Sequence, residues 1–137
     1  MSTLTVRKEV VLPATPEEVW EAITLPEALR DWFGADVDWD VHPGAAGRFR
    51  EDDGTVRQAR VGQVDPGHHL AFTWWPEGRE AEASRVDYDL EEVERGTRLV
   101  VTETPAGPPD AVASAAAWSW DCRVLWLSCR AGALVRA

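Results

Sequence analysis

Three histidines and two cysteines are the metal-ligating and nucleophilic side chains of this 137-residue chain, and their spacing suits neither role. His42, His68 and His69 fall in turns marked by proline and glycine. Cys122 and Cys129 stand seven apart in what reads as one helix, which separates their Cα atoms by about 10 Å, too far for a disulfide, and they do not form a zinc-knuckle pair. No metal and no cofactor is implied. Two free thiols suit a reducing compartment. A glycine-rich phosphate loop, a nucleophile elbow and an activated-cysteine motif are all missing from the sequence. The acidic run Asp87, Asp89, Glu91, Glu92, Glu94 alternates with apolar residues, as a solvated strand face does. An acid or base would have to project into a cleft and have its pKa moved by burial, and Arg60, Tyr88 and Glu103 are the candidates.

Aromatic side chains are the remaining resource, with eight tryptophans, three phenylalanines and one tyrosine. A tryptophan is first a large hydrophobe, and Trp20 and Trp32, on short helices, read as core. Phe33, Phe49, Phe72, Trp74, Tyr88, Trp118 and Trp126 are candidates to line an apolar concavity for a small ligand. Cys122 joins them because it shares a helix side with Trp118 and Trp126. Trp74 and Trp75 point to opposite strand faces, so one of them lies outside or under a loop.

The elements that must position these side chains follow from local patterns. Leu4 to Leu12 alternates apolar and polar residues, a strand with one face covered. Thr15-Pro16-Glu17-Glu18 combines an N-cap threonine, proline at the first helical position and glutamate three after the cap, so a short helix begins at Pro16. Pro26 ends it and opens a second short helix through Trp32-Phe33, closed by Gly34. Strands are then expected over Ala35 to Val41, Gly47 to Glu51, Val56 to Val64, Leu70 to Trp75, Ala83 to Val93 and Thr97 to Thr104. Turns at Pro43-Gly44, Asp52-Asp53-Gly54, Asp65-Pro66-Gly67 and Arg95-Gly96 separate most of them. After Pro105-Ala106-Gly107-Pro108-Pro109, Asp110 is a good N-cap for a long terminal helix. That helix has two apolar sides. Trp118, Cys122, Leu125, Trp126 and Cys129 share one, while Trp120, Val124, Leu127 and Ala131 lie nearly opposite. A surface helix of a monomer needs one such stripe, so the second suggests a homodimer or cover from the protein's own loops.

Size and charge bound the function. The length suits one domain, 1–137, and 45% hydrophobic with 28% charged residues is an ordinary globular balance. Twenty-four acidic against fourteen basic residues leave a net charge of -10, which opposes binding to nucleic acid or anionic membranes. No signal peptide or spanning segment is evident, so a cytoplasmic location is expected.

One helix about 10–12 Å wide covers only part of a seven-stranded sheet at ~4.8 Å per strand. The sheet must therefore curl around it, leaving a cleft. The expected class is α+β.

The stretch Leu12-Pro13-Ala14-Thr15-Pro16-Glu17-Glu18-Val19-Trp20-Glu21-Ala22-Ile23-Thr24, continued by Pro26-Glu27 and Trp32-Phe33-Gly34, resembles the opening of bacterial proteins related to the heat-shock-protein-90 ATPase activator. These belong to the START-like, or SRPBCC, superfamily. Gly47-Arg48-Phe49, Val61-Gly62-Gln63-Val64, Phe72-Thr73-Trp74 and Gly96-Thr97-Arg98-Leu99 follow in the matching order. The resemblance implies the helix-grip fold: a curved seven-stranded antiparallel sheet wrapped around a long C-terminal helix, with two short helices between strands 1 and 2. The implied function is binding of a small hydrophobic or aromatic ligand between sheet and helix. A cyclase/aromatase-like or hydrolytic enzyme using the same cavity, and stimulation of a chaperone ATPase, are the alternatives.

Overall fold

A computed structural model describes residues 5–105 together with Trp120, Arg123, Val124 and Leu127. The first strand, β1 (Val6–Leu12), leads into helices α1 (Pro16–Thr24) and α2 (Pro26–Trp32). Six strands follow: β2 (Ala35–Trp39), β3 (Ala46–Glu51), β4 (Val56–Asp65), β5 (His69–Pro76), β6 (Ser84–Val93) and β7 (Gly96–Pro105). A 3-10 turn, Glu80–Glu82, which no sequence pattern announces, joins β5 to β6.

The start of α1 is a complete capping box. Glu18 N donates to Thr15 Oγ1 at 3.1 Å and Thr15 N donates to Glu18 Oε1 at 3.0 Å, which satisfies two amides that the helix leaves without partners. The carboxyl of Glu18 is held below its ordinary value by the Thr15 backbone hydrogen bond. Helix α2 closes on Gly34, whose φ of 80° lies in the region glycine enters without strain.

All pairings are antiparallel and the sheet order is β1-β7-β6-β5-β4-β3-β2. Strands β2 to β7 form a meander, and β1 adds to its far edge beside β7. Helices α1 and α2 therefore carry the chain from one sheet edge to the other. Their corner is tied to the sheet by indole and hydroxyl donors: Trp39 Nε1 to Thr24 O at 3.0 Å and Thr97 Oγ1 to Ala14 O at 2.8 Å. At Gly96 a Cβ would stand 2.0 Å from Leu12 O, so only glycine lets β1 and the last hairpin approach this closely.

Strand ends fall within two residues of those expected from the sequence. Strand β2 stops at Trp39 rather than Val41 because the chain turns there, with His42 N donating to Asp40 O at 3.0 Å. The sheet is curved, and the β4–β5 register shifts between Val61 and Val64, a bulge of the kind that bends a strand. Its two faces are chemically distinct, as alternation demands: β7 reads half-buried and buried in strict turn, and β6 buries Ser84, Val86, Tyr88 and Leu90. Trp74 is buried while Trp75, on the other face, is half-buried. The expected terminal helix falls outside the described residues except at Trp120, Arg123, Val124 and Leu127, where the backbone is helical. Trp120 and Leu127 are buried in the core, and Val124 packs against it.

Candidate functional site

Inward-facing positions of the sheet bring five of the expected site residues together. Phe33 comes from the end of α2, Phe49 from β3, Phe72 and Trp74 from β5, and Tyr88 from β6. Strand parity selects the last four, because each is an even number of residues from another buried member of its strand. The rings touch in series, with centroids 5.5 Å apart for Phe33–Phe49, 5.9 Å for Phe49–Phe72 and 5.5 Å for Phe72–Trp74. These are favourable separations for tilted, stacked and edge contacts respectively. None of the five is more than 5% exposed. Trp118, Cys122 and Trp126 lie outside the described residues.

Trp120, which the sequence reading placed on the helix side opposite those three, is the ring that closes this cluster. It lies 6.0 Å from Phe33, 6.2 Å from Trp74 and 5.9 Å from Tyr88. Two equally apolar stripes on one helix contain no information about which faces the sheet, so Trp120 was missed as a site residue.

Polar groups occupy two places in this aromatic interior. The deeper one is Glu103, 4% exposed. One carboxylate oxygen accepts from Trp120 Nε1 at 2.7 Å, and the other accepts from Trp74 Nε1 at 2.8 Å and from the Ser84 hydroxyl. Two indoles and a hydroxyl thus stabilise one buried carboxylate, which burial without donors would make strongly unfavourable. Beside it, burial raises the Tyr88 phenol above its ordinary value, and Arg123 only partly offsets the rise. Tyr88 is therefore a neutral phenol at physiological pH.

The second place is nearer solvent, at the end of β3 and the start of β4. Arg123 pairs with Glu51 and lies over the Phe33 ring, its Cζ 3.8 Å from the centroid. Burial lowers the Arg123 pKa from its ordinary value, and the Glu51 carboxylate opposes that shift. Arg57, opposite Phe49 in the β3–β4 register, places its Cζ 4.5 Å from the centroid of Trp74. Its Nε is buried and makes no hydrogen bond. The inward parity of Glu51 and Arg57 on their strands was available as a signal, since Glu51 shares the parity of Phe49, and Arg57 that of Ala59 and Val61.

Arg60 has the opposite parity. It is exposed on the outer face and donates to Gly44 O at 3.0 Å, so its expected projection into the cleft is corrected. His69, also outside, engages both ring nitrogens: Nδ1 with Asp89 at 2.7 Å and Nε2 with Gln63 Oε1 at 3.2 Å. No cluster of three or more metal-ligating side chains occurs among the described residues. An outer groove of about 330 Å³ is lined by Arg7, Glu9, Glu91 and Arg98. Those charges pair with one another, so none is left over for a ligand.

A curved seven-stranded antiparallel sheet with two helices between its first strands, closing on an aromatic interior, defines the helix-grip class. Residues 13–123 match the family described as activator of Hsp90 ATPase homolog 1-like protein, and the chain belongs to that family. Among solved structures it is similar to DynU16, a protein of the dynemicin biosynthetic locus, with 29% identity over 93% of this chain and a TM-score of 0.84. The chain spans less than half of DynU16, covering 46% of its length. It is likewise similar to MLL2253 from Mesorhizobium loti, at 25% identity, covering 90% of this chain and 93% of that one, with a TM-score of 0.82. The Aha1 dimer from Colwellia psychrerythraea shares the fold at 20% identity, covering 90% of this chain and 92% of that one, with a TM-score of 0.77. No curated protein matches the chain. No helix among the described residues is long and apolar enough to cross a membrane.

Proposed function

We propose that this protein binds a small hydrophobic or aromatic molecule in the space between the sheet and its C-terminal segment. The observation that carries the reading is the coexistence, on one concave wall, of a cluster of aromatic rings and a charged rim where Glu51, Arg57 and Arg123 lie. Arg57 stands on that wall with a buried Nε that makes no hydrogen bond, and unlike Arg98 it has no ion pair among the described residues. An apolar recess with a few oriented polar groups is the ordinary composition of a small-molecule site. Similarity to a protein of a biosynthetic locus is in keeping with such a ligand.

The described rings leave almost no surface uncovered, so a ligand enters by replacing contacts made by Trp120 and Arg123 from the C-terminal segment. Covering about 200 Å² of apolar ligand surface supplies on the order of 5 kcal/mol toward that exchange. Glu103 acts as structural support rather than as a base, because both of its oxygens already accept hydrogen bonds. By analogy with the Colwellia protein, the chain pairs into a homodimer.

The test is titration with N-phenyl-1-naphthylamine, a neutral aromatic fluorophore. Saturable fluorescence enhancement, quenching of the protein's tryptophans and a rise in melting temperature are expected, equivalent to about 2.7 kcal/mol at a hundredfold excess over Kd. A titration with no saturable component and no thermal shift overturns the reading.

A further inference from the structure

Glu103 has donors on both oxygens and Glu51 has Arg123, which leaves Arg57, among the described residues, as the charge of the concave wall without an ion pair. Among the described residues Arg57 makes no ion pair, and its Nε is buried without a hydrogen bond. The Asp53 carboxylate feels Arg57 only as a weak, longer-range attraction, and its own hydrogen bond comes from Thr55 N at 2.8 Å.

The surroundings hold the guanidinium in place. Its Cζ lies 4.5 Å from the centroid of Trp74, and Phe49 is its direct cross-strand neighbour. Arg123 faces the same ring from 5.8 Å, so two guanidiniums share one indole. They repel each other, and Arg57 contributes to lowering the Arg123 pKa. Among the described residues the ion pair of these two cations is Arg123 with Glu51, and Glu103 reaches Arg123 only as a longer-range attraction. The rim is also where the interior meets solvent, since Glu51 and Arg57 are half-buried while the rings behind them are covered. An anion placed there would pair with Arg57, satisfy Nε and lie in a partly desolvated position where a charge-assisted hydrogen bond is strong.

We propose that the ligand is an aromatic acid, whose anionic oxygen accepts from Arg57 Nε at the rim while its ring system enters the aromatic interior. This rests on the ligand-binding reading above and adds the chemical class of the ligand. It runs against the net charge of -10, which repels anions at long range, so any preference for an acid must arise locally at the rim.

The experiment uses N-phenyl-1-naphthylamine as reporter and two competitors of nearly equal shape, 2-naphthoate and its uncharged isostere 2-acetylnaphthalene. The wild-type protein is expected to release the reporter at roughly tenfold lower concentration of 2-naphthoate than of 2-acetylnaphthalene. In Arg57→Gln that advantage disappears, read as the ratio of the two competitors' displacement concentrations measured on the same variant, whatever its affinity for the reporter. Equal displacement by both competitors in the wild type overturns the acid assignment and leaves the ligand-binding reading standing. A reporter that never binds fails both. An advantage retained in a folded Arg57→Gln protein overturns the role of Arg57. Should that variant not fold, Arg57→Lys keeps the charge and removes Nε: loss of most of the advantage supports the proposal, and full retention overturns it.

Discussion

Two glutamates face the same aromatic interior, and they are treated in opposite ways. Glu103 is sealed and has donors from two indoles and a hydroxyl on its two oxygens. Glu51 is half-buried and pairs with one arginine beside a second whose buried Nε makes no hydrogen bond and which has no ion pair among the described residues. The contrast separates a polar group that organises the core from one that stands at a boundary. Buried polar networks rigidify a fold only when every member is satisfied, and the deep network meets that condition while the rim does not. Incomplete satisfaction at the rim is the basis of the proposed ligand site.

The largest expected effect tests the deep side. Glu103→Ala strands the buried Trp120 N–H, leaves Trp74 Nε1 only its 3.2 Å bond to Ser84 Oγ, and should cost about 2–4 kcal/mol in urea unfolding. A loss under about 1 kcal/mol would erase the distinction between the two acids. Trp120→Phe keeps most of the ring but removes one of these donors, and should cost about 1–2 kcal/mol. Above pH 10, stability should fall by about 1 kcal/mol per pH unit because of Tyr88. The sign follows from the direction of its shift. Burial raises the folded phenol above its ordinary 10.0, so at higher pH the unfolded chain loses a proton that the native state keeps. Unfolding of Tyr88→Phe across that range should show a shallower decline. Glu51→Ala, at the rim, takes the carboxylate from an Arg123 side chain that is only 12% exposed, and should cost about 1–2 kcal/mol. Arg30→Ala breaks an exposed pair with Asp52 at 2.7 Å and should change stability by less than about 0.5 kcal/mol, setting the scale for a charge pair with no interior role.

Much of this molecule is legible from short-range pattern. The capping box at Thr15 and Glu18, Gly34 at the end of α2 and the Asp52-Asp53-Gly54 hairpin each state their geometry locally. The seven strands emerge from alternation between such markers. Parity also identifies Phe49, Trp74, Tyr88 and Glu103 as inward-facing once the strands are placed. The same rule points to Glu51 and Arg57, but charged residues on a mostly apolar face are easily read as strand ends near solvent. Arg60 illustrates the converse: one position from the correct parity, it lies on the wrong side of the sheet. Trp120 was not legible at all. Its helix carries two apolar stripes of similar strength, and choosing between them requires knowing that Glu103 and Tyr88 wait on the opposite wall.

Native mass spectrometry of freshly purified protein measures the central claim most directly, because it weighs each subunit with whatever it retains. The account predicts a population carrying one small molecule per chain, restored after stripping by adding N-phenyl-1-naphthylamine at one equivalent per chain. Spectra showing only the bare polypeptide mass, before and after that addition, would contradict it.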